Sequence, residues 1–122
     1  MKTLHTMIRV KDLEKSLEFY KNALGYEESR VRDFPEYKFT LVYLKLPGDD
    51  QELELTYNYG NGEYDLGNGY GHIALGCENF IELHERLRNE GYDVTELKGL
   101  TDTANYFFVK DPDGYKIEII KC

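Results

Sequence analysis

The chain has 122 residues, 41% of them hydrophobic and 14% aromatic, which is the composition of one globular domain with its own core. Its 15 Lys and Arg against 23 Asp and Glu give a formal net charge of −8, which argues against nucleic acid and anionic membranes as partners. No apolar stretch approaches the roughly 20 residues of a membrane span, and the first residues form a strand-like pattern rather than a signal peptide. Two cysteines, Cys77 and Cys122, make no disulfide framework, so we expect a soluble protein of the reducing cytoplasm.

The first half of the chain reads as a strand, a helix and three further strands. Alternating residues predict a strand over 5–10, and Asp12 then stands where the N-cap of a helix belongs. The apolar positions of that helix are Leu13, Leu17, Tyr20 and Leu24. Gly25 is expected to end the helix in the left-handed conformation. Further strands are predicted near 26–33, 38–46 and 52–59.

A glycine-rich stretch over 60–69 reads as a linker, after which the same order of elements begins again. A strand is predicted over 72–75, and Asn79 is placed to cap a second helix that Gly91 closes. Further strands are predicted near 93–97, 105–110 and 115–121. The turn between the last two strands is Asp111-Pro112-Asp113-Gly114, a strong hairpin signal.

The two halves match in detail as well as in order. Three pairs of residues recur at similar offsets of 67, 66 and 64 residues, namely His5 and His72, Gly25 and Gly91, and Glu54 and Glu118. Offsets of this kind indicate two copies of one supersecondary unit. We therefore predict an α+β fold of two βαβββ modules, about 1–59 and 70–122, joined by the glycine-rich linker within one domain over 1–122.

Two histidines and two glutamates occupy equivalent places in this repeat, namely His5, Glu54, His72 and Glu118. Strand alternation places Glu54 on one face with Thr56 and Asn58, and His5 on one face with Arg9. Each module then offers one imidazole and one carboxylate, from its first and last strands. Such donors suit Zn, Ni, Fe or Co, and a metal left open to water could polarise a substrate oxygen and stabilise an enediolate.

On spacing alone, other roles for these residues stay open. A single histidine on a strand is more often structural than a ligand, and a glutamate between isoleucines, such as Glu118, is often only the solvent-facing residue of a sheet. Arg9 is either a surface residue or part of the same cleft. His84 lies mid-helix, where we expect it to be solvated, and Cys77 is expected to be a small core residue rather than a nucleophile. The glycine-rich linker lacks the context of a phosphate loop.

Five segments together carry a resemblance to a known family. They are Leu4-His5-Thr6-Met7-Ile8-Arg9-Val10, Ser16-Leu17-Glu18-Phe19-Tyr20, Glu54-Leu55-Thr56-Tyr57-Asn58, Tyr70-Gly71-His72-Ile73-Ala74 and Asp111-Pro112-Asp113-Gly114-Tyr115-Lys116-Ile117-Glu118. The last is common across the vicinal-oxygen-chelate superfamily, whereas the combination with the others is far more specific. Over nearly its whole length, the chain resembles the glyoxalase I (lactoylglutathione lyase) family of that superfamily, in its short bacterial type.

The resemblance implies paired βαβββ modules with curved mixed sheets, the glyoxalase/bleomycin-resistance-like fold. It also implies one divalent metal per site, completed by water, with the ligands His5, Glu54, His72 and Glu118. The short bacterial enzymes tend to prefer Ni or Co, and Zn is possible. Family members of this size are homodimers with sites shared between chains, so His5 and Glu54 would come from one chain and His72 and Glu118 from the other.

The reaction implied is isomerisation of the methylglyoxal–glutathione hemithioacetal to S-lactoylglutathione, which detoxifies methylglyoxal. By resemblance Glu118 is the base that moves the proton, with Glu54 as a possible second shuttle. By resemblance, Arg9 and Asn58 match positions that hold the glutathione part of the substrate. The segment over 98–104 is shorter than the Gly/Lys-rich loop of many members, so a thiol other than glutathione stays an alternative.

Three other functions are weighed against this one. An acyl-thioester epimerase of the same superfamily would share the ligands, but the pair Arg9 and Asn58 favours glyoxalase. A dioxygenase with two histidines and one carboxylate would not need a fourth ligand. A metal-free protein that binds a small hydrophobic molecule would need none of the four, and this chain keeps all of them.

Overall fold

A computed structural model describes residues 1–99 and 105–122 of the chain. The chain divides into two compact units, Met1–Asp65 and Leu66–Cys122, and each is described by itself. Among the described residues, no helix has the length and apolar character that a membrane crossing requires.

The first unit contains one four-stranded mixed sheet. Its elements in chain order are β1 (His5–Arg9), α1 (Leu13–Glu18), a π-helical segment (Phe19–Ala23), β2 (Glu27–Phe34), β3 (Phe39–Lys45) and β4 (Glu52–Asn58). The strand order is β1-β4-β3-β2, so the first and last strands of the unit are neighbours. They run parallel, whereas β3 is antiparallel to both β2 and β4. This order brings His5 and Glu54, far apart in sequence, onto adjacent strands.

The helix of the first unit begins and ends as its sequence predicts, but its last turns are not α-helical. The Oδ1 atom of Asp12 accepts a hydrogen bond from the Lys15 amide at 3.1 Å, which satisfies one free donor at the helix start. Gly25 has a φ of 80°, the left-handed conformation expected after a helix. Between them the segment Phe19–Ala23 is π-helical, which the spacing of apolar residues did not predict.

The core of the first unit lies on the opposite side of the sheet from the polar residues of β4. It includes Ile8, Val10, Tyr20, Val42, Leu44, Leu53 and Leu55. Glu54 and Thr56 alternate with the two leucines of β4, yet both are also buried. On this face Glu54 is opposite Tyr43 of β3, which is buried as well, so the polar face of β4 is partly covered by side chains of its neighbours.

The second unit contains one helix and a three-stranded mixed sheet among its described residues. The elements are β5 (Ile73–Cys77), α2 (Phe80–Asn89), β6 (Tyr106–Lys110) and β7 (Lys116–Lys121), and the strand order is β5-β7-β6. Here too the first and last strands are parallel neighbours. The helix starts after Asn79 as predicted, although the Asn79 side chain makes no capping hydrogen bond. Gly114, with a φ of 94°, completes the predicted turn before β7.

The strand predicted near 93–97 forms only isolated bridges, Val94 with Val109 and Lys98 with Tyr106. Thr95 explains the difference, because its hydroxyl rather than its carbonyl accepts the hydrogen bond from the Phe108 amide, at 3.0 Å. The carbonyl instead accepts a hydrogen bond from Nε2 of His84 at 2.8 Å. A side chain thus competes with the backbone for one position of the ladder. Of the predicted loop over 98–104, residues 100–104 lie outside the described part of the chain.

The prediction that His84 is a solvated helix residue is wrong. His84 is buried, and its ring packs edge-on against Phe107 with the ring centres 4.8 Å apart. Its Nε2 donates to the Thr95 carbonyl, so the imidazole joins α2 to the segment that precedes β6. The buried residues of α2 are Phe80, His84 and Leu87, so the histidine is part of the face that packs on the unit.

Candidate active site

His5 and Glu54 lie on the same face of the first sheet. In the parallel pairing of β1 with β4, Met7 is opposite Glu54, so His5 lies two residues before the position next to the glutamate. The Nε2 atom of His5 is 4.0 Å from Oε1 of Glu54. The histidine is exposed, whereas Glu54 keeps only 7% of its accessible surface. An imidazole nitrogen and a carboxylate oxygen therefore converge at the accessible edge of the sheet.

Tyr43 and Thr56 are neighbours of the Glu54 carboxylate. Tyr43 is opposite Glu54 in the pairing of β3 with β4. Interaction with the Glu54 carboxylate, followed by burial, raises the pKa of Tyr43. The Thr56 hydroxyl donates to Oε2 of Glu54 at 3.3 Å. The ring of Tyr43 also packs edge-on against His5, with the centres 5.6 Å apart.

His72 and Glu118 form the corresponding pair in the second unit. In the parallel pairing of β5 with β7, Ala74 is opposite Glu118, so His72 again lies two residues before that position. The prediction that a strand begins at His72 differs from the structure by one residue, since β5 begins at Ile73. The Nε2 atom of His72 is 2.9 Å from Oε2 of Glu118. The His72 ring packs edge-on against Phe108, with centres 5.4 Å apart.

The four residues have the chemistry of a binding site for a divalent metal. Imidazole nitrogen and carboxylate oxygen are donors that Zn, Ni and Co all accept. Each unit presents one of each on the same face and in the same register. In the ranges 1–99 and 105–122, no group of three or more His, Cys, Asp and Glu side chains is arranged as a metal site. Each unit by itself brings together one imidazole and one carboxylate.

Arg9 and Asn58, the residues predicted to bind the thiol, share the face of Glu54. Arg9 is opposite Thr56, two residues along β1 from the partner of Glu54. Asn58 ends β4, and its Nδ2 donates to the Tyr64 hydroxyl at 3.0 Å. Both side chains therefore lie on the side of the sheet that carries His5.

A small basic cavity lies beside His72 in the second unit. It has a volume of about 170 Å³ and is lined by Asp93, Thr95, Lys98, Phe108, Lys110 and Lys116. Phe108 is the one aromatic residue of its lining and also contacts the His72 ring. Three lysines around one apolar ring give this part of an acidic protein a local positive charge.

A family model, the Glyoxalase/Bleomycin resistance protein/Dioxygenase superfamily, matches residues 2–119. The chain belongs to this superfamily. Among curated relatives, lactoylglutathione lyase of Salmonella typhimurium is 46% identical, over 100% of this chain and 93% of that protein. Lactoylglutathione lyase of Neisseria meningitidis is 47% identical, over 99% of this chain and 91% of that protein.

A solved relative, the trypanothione-dependent glyoxalase I of Leishmania major, superposes with a TM-score of 0.87 at 41% identity, over 99% of this chain and 86% of that one. The resemblance inferred from the motifs is thereby confirmed, and so is the glyoxalase-like fold. The assignment of individual ligands and of a base stays a prediction, since the similarity concerns the whole chain.

Reasoning from the sequence missed the position of Tyr43 beside His5 and Glu54. The sequence did contain the information needed to place this residue. A hairpin centred on Gly48 and Asp49 pairs residues whose numbers sum to 97. Residues 43 and 54 meet that condition, so Tyr43 lies opposite Glu54. Counting back from that turn would have found it. The basic cavity could not have been found in this way, because it gathers residues from three separate segments.

Proposed function

We propose that this chain catalyses the metal-dependent isomerisation of the methylglyoxal–glutathione hemithioacetal to S-lactoylglutathione. The observation that carries the proposal is the repeated pair of an imidazole and a carboxylate, at the same register in both units. It is supported by the overall identity of 46% to a lactoylglutathione lyase. The two free thiols suit the reducing cytoplasm, where we place the enzyme.

The metal ligands in this proposal are His5, Glu54, His72 and Glu118, with Ni or Co favoured and Zn possible. A bound divalent cation supplies electrostatic stabilisation of the negative charge that develops on the two adjacent substrate oxygens. Without that stabilisation, the hydrogen on the hemithioacetal carbon is far too weakly acidic for a carboxylate to remove at neutral pH. The partly buried setting of both glutamates limits competition from water.

Proton transfer is the work of a glutamate in this proposal. The Glu118 carboxylate removes the proton from the hemithioacetal carbon and returns it to the neighbouring carbon, and the hydroxyl proton passes from the oxygen of the first carbon to the oxygen of the second, so the isomerisation has no net gain or loss of atoms. Its hydrogen-bond distance to Nε2 of His72 fixes where the carboxylate sits before the substrate arrives. Glu54 is the second candidate for this shuttle.

The active assembly in this proposal is a homodimer. The first unit supplies one histidine and one glutamate, and the second unit supplies another of each. A complete four-ligand site therefore needs both pairs. His5 and Glu54 of one chain would join His72 and Glu118 of another, and a dimer would then hold two sites. Within each chain, we propose that the two units form one glyoxalase-like domain.

The thiol in this proposal is glutathione. An anionic thiol needs positive groups near the site, because the chain as a whole carries a net charge of −8. Lys98, Lys110 and Lys116 supply such groups around the small cavity beside His72, and Arg9 and Asn58 supply polar groups in the first unit. The Leishmania major relative is trypanothione-dependent, so the identity of the thiol has to be measured and is not assigned from similarity alone.

The test combines metal analysis with turnover of the methylglyoxal hemithioacetals of glutathione and of trypanothione, with Ni, Co or Zn added. We expect turnover only with metal, and a higher kcat/KM for the glutathione adduct. Turnover that persists after complete removal of metal would contradict the mechanism. Metal binding without turnover would favour an acyl-thioester epimerase, and binding of neither metal nor substrate would favour a non-catalytic binding protein. Preference for trypanothione would refute only the choice of thiol.

A further inference from the structure

Two arginines of the edge strand β2 share the sheet face that carries Glu54. Arg30 is opposite Tyr43 of β3, which is itself opposite Glu54 of β4. Arg32 is opposite Leu41, two residues along β3 from Tyr43. Because residues opposite one another on neighbouring strands lie on the same face, both guanidinium groups are on the site side of the sheet.

The two arginines differ in whether an acidic group neutralises them. Nη2 of Arg30 donates to Oε1 of Glu52 at 3.2 Å, and this guanidinium lies 3.8 Å from the ring centre of Tyr43. Arg32 is exposed, and its guanidinium lies 5.2 Å from the ring centre of Phe34. Among the described residues, no carboxylate lies within ion-pair distance of Arg32. Its positive charge is therefore available to a ligand.

The acidic neighbour of Arg32 in the sequence, Asp33, lies on the opposite face. Its carboxylate accepts hydrogen bonds from the hydroxyls of Thr40, at 2.7 Å, and of Tyr59. Successive residues of a strand point to opposite faces, so this acidic group is turned away from the guanidinium. The positive charge on the site side of β2 is thus not cancelled by the next residue.

Arg32 is close enough to Glu54 to bind the far end of a short substrate. Two strand spacings and two residue rises separate the Cα atoms of the two residues by about 12 Å. The half-buried Leu41 lies between them and offers an apolar surface. Glu54 and burial raise the pKa of Tyr43, whereas the positive charges of Arg30 and Arg32 oppose that rise, so both charges act on the space beside Glu54.

Arg9 and Arg32 lie at opposite edges of one row of residues across the sheet. The row runs from Arg9 through Thr56 and Leu41 to Arg32. In the proposed function the thiol part of the substrate extends toward Arg9. The other end of the hemithioacetal, which carries the substituent of the aldehyde, can then extend over Leu41 toward Arg32.

We propose that Arg32 binds a terminal carboxylate on the substituent of an α-oxoaldehyde, so that this chain prefers acidic α-oxoaldehydes to uncharged ones. The proposal rests on the proposed function, since it names a substrate class for the same reaction. The hydrogen shift is unchanged, and the hemithioacetal becomes an α-hydroxy thioester with the same atoms. The terminal carboxylate does not react, and it accepts charge-assisted hydrogen bonds from the guanidinium.

The experiment compares three aldehydes as their glutathione hemithioacetals, on the metal-loaded protein. They are methylglyoxal, 4,5-dioxopentanoate, which ends in a carboxylate, and the uncharged methyl ester of 4,5-dioxopentanoate. For the wild type we expect kcat/KM for the carboxylate to exceed that for its ester by about tenfold or more, the usual effect of a charge-assisted hydrogen bond. Added salt should reduce this preference, because Arg32 is exposed and its charge is screened.

Variants of Arg32 then show whether this residue carries the preference. For Arg32→Gln we expect kcat/KM for the carboxylate to fall about 10- to 100-fold, with little change for the ester or for methylglyoxal. Arg32→Lys keeps the positive charge and should keep part of the preference. Arg88→Gln, which removes the same charge from an exposed position of α2, should match the wild type for all three substrates.

A carboxylate-to-ester ratio that Arg32→Gln leaves unchanged would overturn the proposal. An equal loss for all three substrates would overturn it as well, because Arg32 would then bind a carboxylate of the thiol that they share. Both results would leave the proposed function intact. A metal-loaded wild type that turns over no methylglyoxal hemithioacetal would overturn the proposed function, and this proposal with it.

Discussion

The Nε2 atom of His72 lies 2.9 Å from Oε2 of Glu118, within hydrogen-bond distance across two parallel strands. In the first unit, Nε2 of His5 is 4.0 Å from Oε1 of Glu54, and the Thr56 hydroxyl donates to Oε2 of that carboxylate at 3.3 Å. The two halves of the proposed metal site thus share a register and differ in the contacts of each glutamate.

Replacing Glu118 by Gln tests the assignment of the base. The amide cannot accept the substrate proton, so we expect kcat to fall by about 10²- to 10⁴-fold, the usual contribution of a general base. Metal content is measured in the same samples, because Glu118 is also a proposed ligand. Glu85→Gln, on the exposed side of α2, is the matched control. Unchanged turnover in metal-loaded Glu118→Gln would refute the assignment.

Mixing two inactive variants tests whether sites are shared between chains. We expect His5→Ala and His72→Ala each to be inactive alone, and their mixture, after unfolding and refolding together, to recover about a quarter of wild-type activity. Half of randomly formed dimers are mixed, and each of those holds one intact site out of two. A mixture that stays inactive although mixed dimers form would show that each chain builds its sites alone.

Replacing Asp111 tests how much the turn before β7, the strand that carries Glu118, contributes to the stability of the fold. Its Oδ1 accepts hydrogen bonds from the amides of Asp113 and Tyr115, both at 2.9 Å, and the side chain is buried. We expect Asp111→Ala to lower the free energy of unfolding by about 2 to 3 kcal/mol, and Asp111→Asn, which keeps an acceptor oxygen, by about 1 kcal/mol. Urea unfolding measures both. Equal stability of all three proteins would show that these hydrogen bonds contribute nothing.

Because of the buried Tyr26, we expect the stability of the fold to decrease at alkaline pH. Burial, together with the negative charge of Asp49, raises the pKa of Tyr26 to about 12 in the folded chain. The unfolded chain, with a tyrosine pKa of about 10, loses this proton at lower pH than the folded chain. The contribution of the protonated Tyr26 to folding stability is therefore intact below pH 10 and is lost as pH rises toward 12. We expect a loss of about 2 to 3 kcal/mol over that window, smaller in Tyr26→Phe. Equal pH dependence of unfolding in both proteins would contradict this account.

The repeat explains why so much could be predicted from the sequence. Strands β1 and β4 were expected from alternation, Asp12 and Gly25 from the chemistry of helix ends, and the structure agrees. The parallel pairing of β1 with β4 then follows from topology rather than from local pattern. It is this pairing that places His5 beside Glu54.

Two misses share a physical cause, which is competition between a side chain and an expected local structure. The Thr95 carbonyl accepts a hydrogen bond from His84 and the Thr95 hydroxyl accepts one from the Phe108 amide, so the segment near 93–97 is not a strand and the histidine is not solvated. Tyr43 was overlooked for a different reason, because its position beside the site depends on which residue lies across the sheet. Such partners become visible from sequence only when a hairpin register is counted explicitly.

Titration of the metal-free protein with Ni²⁺, with turnover of the methylglyoxal–glutathione hemithioacetal followed at each addition, tests the central claim most directly. The account predicts no turnover at the start and a linear rise that ends at one Ni²⁺ per chain. It also predicts that His72→Ala, which lacks one proposed ligand, reaches neither that activity nor that stoichiometry. Full turnover before any metal is added, or wild-type titration by His72→Ala, would contradict it.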